Sequence, residues 1–97
     1  MSAYFVVRCS YHKIDDYKNY AKAATKAVSQ FNGKFLVTGQ GQQIQKETGQ
    51  DTKTVIVEFE TMDKAISCYE SETYQKALSF LNEDVAERII HIAEGLY

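Results

Sequence analysis

The chain has no proline and no tryptophan, and only two cysteines and five glycines among its 97 residues. Without proline there is no proline-rich linker, and no low-complexity stretch or internal repeat suggests an array of small units. Cys9 and Cys68 form no CxxC pair and have no histidine at metal-ligand spacing, so two free, buried thiols in a reducing cytoplasm are expected. Acids and bases are interspersed at a net charge of -2, and no block of Lys and Arg offers a footprint for nucleic acid. The apolar runs are a few residues long, against the about 20 that a bilayer span requires. The opening Met1-Ser2-Ala3-Tyr4 leads into a strand and not into a charged and then apolar leader. These absences predict a cytoplasmic globular protein with neither membrane nor nucleic-acid partners.

What is present suits one compact unit over residues 1–97. At 44% hydrophobic, such a chain buries roughly 60–65% of its unfolded surface without staples. Asn32-Gly33-Lys34-Phe35-Leu36-Val37 ends a helix and launches a strand within one turn. Asn and Gly tolerate the left-handed backbone that closes helices, and the residues after them suit a pleated strand.

The elements on either side follow from periodicity. Tyr4 to Ser10 alternates as a strand, with Phe5, Val7 and Cys9 on one face. Ile14 to Phe31 reads as a helix whose apolar stripe includes Tyr17, Tyr20, Ala24 and Val28. Phe35 to Thr38 begins a second strand that Gly39-Gln40-Gly41 interrupts, which predicts a bulge or a close backbone approach. A ragged continuation is expected around Ile44, and a turn at Gly49-Gln50-Asp51. Thr54 to Glu60 alternates clearly. Thr61 is placed to cap a helix, and Ser71 to recap the chain for a further helix carrying Tyr74, Ala77 and Leu78. Arg88 to Glu94 forms the last strand.

The order β-α-β-β-α-α-β predicts an α+β, ferredoxin-like domain: a four-stranded antiparallel sheet with helices on one face and strands one and three central. The opposite face carries Val6, Ile56 and apolar neighbours of His91. A second copy laid across it would bury them, which predicts a two-fold homodimer.

Several segments resemble a known family in their order along nearly the whole chain. They are Ala3-Tyr4-Phe5-Val6-Val7, Tyr17 with Tyr20, Gly33-Lys34-Phe35-Leu36-Val37 with Gly39, Val57-Glu58-Phe59, Tyr69 with Ser71, Tyr74-Gln75, and Glu94-Gly95. The chain is similar to the domain of unknown function 1330 family, within the dimeric α/β-barrel superfamily. That resemblance implies the fold and a dimeric barrel, but no defined reaction. The chain departs from the family pattern at Cys68, where an aromatic is usual, at Thr38, where a basic residue is common, and near Leu81 or Asn82, where an Arg is often found.

Candidate chemistry centres on two groups. Arg8, Glu58 and His91 project from the sheet face opposite the helices. His could move a proton, Glu orient it and Arg steady an oxyanion. The alternative is a cross-strand Arg8–Glu58 ion pair beside a partly buried His91. Tyr17, Tyr69 and Tyr74, with Tyr20, lie on helix faces turned to the sheet. They could hold a phenolic or quinone-like ligand, or they could be core residues with hydroxyls at the rim. His12 reads as a solvated turn residue. Cys68, in mid-helix, reads as a packed thiol and not a nucleophile. Gly39-Gln40-Gly41 lacks the pattern of a phosphate loop. No cofactor and no metal is expected.

The expected function is that of a small homodimer binding a small aromatic or acidic molecule. The resemblance implies, as an alternative, a cofactor-independent oxygenase or isomerase acting on an aromatic, quinone-like or acyl substrate. A non-enzymatic structural dimer is the third reading. An enzyme requires a closed pocket with an inward His or carboxylate of strongly shifted pKa.

Overall fold

The computed structural model describes residues 1–47, 49–82 and 84–97. Seven elements follow one another: β1 (Ala3–Tyr11), α1 (Ile14–Gln30), β2 (Lys34–Val37), β3 (Lys53–Phe59), α2 (Met62–Glu70), α3 (Glu72–Leu78) and β4 (Ala86–Glu94). The sheet runs β2-β3-β1-β4 with every neighbouring pair antiparallel. This is the ferredoxin-like α+β arrangement expected, with β1 and β3 in the middle. No helix among the described residues is long and apolar enough to cross a membrane.

Alternation decides what each strand buries. Phe5, Val7 and Cys9 of β1 and Val57 and Phe59 of β3 face the helices and are almost wholly excluded from solvent. The rings of Phe5 and Phe59 lie 4.7 Å apart at the centre of this core. Helix α1 adds Tyr17, Tyr20, Ala24, Ala27 and Val28. Its inner stripe is rich in Ala, which lets the helix approach the sheet and α3 closely.

The junction after α1 is a Schellman closure. Gly33 N–H donates to the Val28 carbonyl at 2.9 Å, and Asn32 N–H to that of Ser29 at 3.2 Å. Asn32 takes the left-handed backbone, with φ 57°. Gly33 is needed for a different reason: a Cβ there would lie 2.6 Å from Val28 Cγ1 and 2.8 Å from Phe59 Cε1. Downstream, Thr61 Oγ1 accepts from Lys64 N–H at 3.1 Å and caps α2. Ser71 ends α2 and caps α3 through Tyr74 N–H, also at 3.1 Å. Both caps satisfy helix donors that would otherwise lack partners.

The second strand differs from expectation. Its irregularity falls between Phe35 and Val37, before the glycines. Gly39 instead gives room to the Tyr11 hydroxyl, which would lie 3.0 Å from a Cβ there. No strand forms around Ile44, which is 70% exposed. The Gln43 side chain replaces backbone pairing: its Oε1 accepts from Thr54 N–H at 2.7 Å, and its Nε2 donates to the Thr54 carbonyl at 2.8 Å. Gln45 Oε1 accepts from Thr52 N–H in the same way.

Candidate functional site

Arg8, Glu58 and His91 share the sheet face turned away from the helices, as their parity predicts. They do not converge within one chain. Glu58 stands opposite Tyr4, and Arg8 stands opposite Thr54. The row containing Val6, Ile56 and His91 separates them. Four residue steps along β1 therefore separate the two charged rows, about 13 Å at the usual rise of a strand. The expected cross-strand ion pair is absent among the described residues for that reason. Arg8 Nη2 donates to Thr52 Oγ1 at 2.8 Å, and the Tyr4 hydroxyl donates to Glu58 Oε2 at 3.3 Å. His91 is exposed.

The tyrosines do gather. On the helix side of the sheet, Tyr17 packs between Tyr11 and Tyr20, with ring centroids 4.4 and 5.3 Å away. Tyr69 lies 6.4 Å from Phe5 and 5.3 Å from Tyr74. Tyr74, at 2% exposure, is the hub, touching Phe5, Tyr20 and Tyr69. The hydroxyls of Tyr20 and Tyr74 do not reach the rim, contrary to the core-residue reading. They meet 2.5 Å apart inside the protein.

A cation joins them there. Arg88, inward-facing on β4, donates from Nη1 to the Tyr20 hydroxyl at 2.6 Å and from Nη2 to the Tyr74 hydroxyl at 3.0 Å. Its guanidinium also lies 4.8 Å from the centre of the Tyr20 ring, a cation–π contact that orients the planar fork. Burial, reinforced by neighbouring Tyr74, drives the Tyr20 phenol far above its ordinary range, so it stays neutral. For Arg88, burial works against the charge, but the tyrosine oxygens more than offset it and the guanidinium stays a cation.

Arg88 was not among the residues singled out from the sequence. A signal was available: it shares strand parity with Ile90 and Ile92, whose side chains pack against the core. A charged residue at an inward position needs a dedicated set of partners.

Two spaces meet at Arg88. One is an interior cavity of about 30 Å³ beneath α1, walled by Phe5, Tyr17, Tyr20 and Tyr74 among others, with room for about two waters. The other is an open groove of about 490 Å³ lined by Leu78, Leu81, Asn82, Ala86, Glu87 and Arg88. The Glu87 carboxylate is engaged by His12 Nε2 at 3.5 Å and by Gln50 Nε2 at 3.1 Å.

The thiols are buried, as expected. Burial pushes Cys68 up to about 11. Cys9, opposite Arg88 in the sheet, is also raised by burial, with the Arg88 charge pulling the other way. Among the described residues, no group of three His, Cys, Asp or Glu side chains is placed to hold a metal ion.

A family model described as "Domain of unknown function (DUF1330)" matches residues 2–96. Among solved structures, the chain is similar to a protein of unknown function from Rhodopseudomonas palustris. Their TM-score is 0.73 at 12% identity, covering 99% of this chain and 83% of that one. A Nitrosomonas europaea protein described as a candidate antibiotic biosynthesis monooxygenase matches with a TM-score of 0.56 at 15% identity, covering 98% and 91%. At these identities the likeness is one of fold. No curated protein matches the chain significantly.

Proposed function

The chain belongs to the domain of unknown function (DUF1330) family, and from that premise we propose that it binds a small aromatic or acidic molecule without transforming it. The observation that carries this reading is the character of the groups beside the two cavities. The inner cavity has aromatic walls and a fixed cation. The groove has aliphatic walls, the same cation and a Glu87 carboxylate already held by His12 and Gln50, while both histidines, the natural proton shuttles, are exposed. Neutral phenols and a permanent guanidinium bind and orient a ligand well. They exchange protons poorly near neutral pH.

The protein works as a two-fold pair in this reading. Val6 and Ile56 are only partly covered, and Ile89 on the same face is 63% exposed. A second copy supplies the missing cover. Arg8 and Glu58 stand on opposite sides of the apolar row, so a two-fold axis across the strands through Val6 and Ile56 sets each Arg8 over the partner's Tyr4–Glu58 row. The pair of charges that one chain keeps apart is thereby brought together between two.

A thermal-shift screen across phenols, quinones, acyl compounds and haem tests the binding reading, since any ligand of the native state raises apparent stability by mass action. At least one class is expected to raise the melting temperature in a concentration-dependent way. A screen in which no class does so would sink the proposal.

A further inference from the structure

We propose that the groove between α3 and β4 is a receptor for a hydrophobic monocarboxylic acid, whose carboxylate pairs with Arg88 while its apolar body lies along Leu78, Leu81 and Ala86. This deepens the small-molecule reading above and rests on it.

The argument begins with the donors of Arg88. A guanidinium carries five N–H groups in a planar fork. Tyr20 and Tyr74 each accept one. Hydroxyl oxygens solvate the cation without neutralising it, and Tyr20 is held neutral by burial. Among the described residues, no carboxylate lies within ion-pairing distance of Arg88. Glu87, the acid nearest in sequence, is directed to His12 and Gln50. Among the described residues, then, the cation has hydroxyl partners but no counter-charge. An anion arriving from outside would add a charge-assisted pairing that the tyrosines do not supply.

The tyrosines take one hydrogen each from Nη1 and Nη2, and among the described residues Arg88 has no other acceptor, which leaves its remaining donors for a ligand. Arg88 lines both cavities, and the groove is the one with room for such a ligand. Stacking on Tyr20 and two anchoring hydroxyls hold the fork still, which favours two-point recognition of a planar carboxylate. The groove's other walls are Leu78, Leu81 and Ala86 with two polar residues, Asn82 and Glu87, and the Glu87 carboxylate is held by His12 and Gln50. Asn82 lies at its margin, its Oδ1 already accepting from the N–H groups of Asp84 and Val85. A ligand that fits has one charged end and a greasy remainder.

The test compares octanoate and benzoate with octanamide and benzamide on the intact protein. Binding is followed by calorimetry and by the Arg88 Nε–Hε resonance. Both acids are expected to bind at least about tenfold tighter than their amides and to move that resonance. Arg88→Gln is expected to abolish the preference, a loss of about 10- to 100-fold for the acids. Leu81→Glu provides a second variant that leaves the Arg88–tyrosine cluster in place. It sets a negative charge in the groove and should weaken the acids far more than the amides. Acids and amides binding equally well, or acids whose affinity ignores both changes, would overturn the carboxylate assignment while leaving small-molecule binding intact. If none of the four probes binds while another class from the screen does, this inference also fails. If nothing binds at all, the broader reading falls with it.

Discussion

Arg88 and its two tyrosines couple structure to chemistry through single hydrogen bonds, and their removal has a definite sign. Tyr20→Phe or Tyr74→Phe takes one acceptor from an enclosed cation and should cost about 1.5–3 kcal/mol in stability, as hydrogen bonds to charged groups do. The double change should cost less than the sum, because the two hydroxyls also bond each other. Chemical denaturation of the four forms checks both statements. The thiol of Cys68 makes a pH prediction. Burial lifts its folded pKa to about 11, above the ordinary 9.0, so above pH 9 the unfolded chain loses its proton first. Stability from this group is complete below pH 9 and declines as pH rises towards 11. Urea midpoints measured between pH 8 and 11 should fall steadily for the native sequence and less steeply for Cys68→Ala. At neutral pH the same thiol should resist disulfide reagents until the protein unfolds.

At the level of elements, the loop from α1 into β2 joins backbone geometry to side-chain packing. Gly33→Ala drives a methyl group against Val28 and Phe59 and should destabilise by about 1–3 kcal/mol. Thermal melts at matched concentration would show it, and an unchanged melting temperature would mean those two side chains can yield. The sequence made the presence of this junction plain because Asn-Gly followed by Phe-Leu-Val changes period abruptly. It did not reveal that Asn32 bends while Gly33 gives room, since both residues tolerate either task. Alternation in β1, β3 and β4 was legible for the same reason: burial on one face forces a period of two. The stretch around Ile44 was not legible, because Gln43 and Gln45 complete the neighbouring strand with their side chains, which no apolar pattern reports. The tyrosine cluster could be seen coming from helix spacing. Its cation could not be paired in advance, since Arg88 is 68 residues from Tyr20 and 14 from Tyr74.

For the whole molecule, the helices cover one side of the sheet and leave the other with a band of half-covered apolar groups between opposite charges. If two copies meet across that band, Arg8→Glu or Glu58→Arg alone should weaken self-association by about tenfold or more, through like-charge contact. The double exchange should recover most of the loss. Sedimentation of all four forms over a dilution series decides the matter, and a double variant no better than either single one would refute the axis drawn through Val6 and Ile56. A smaller feature of the sheet bears on how chains can meet. Strand β2 pairs with β3 only from Ile56 to Glu58, and beyond it the amide of Gln43 occupies both hydrogen-bonding groups of Thr54. An incoming extended peptide finds no vacant rungs at that residue, so the side chain seals a short uncovered stretch of β3 against strand addition.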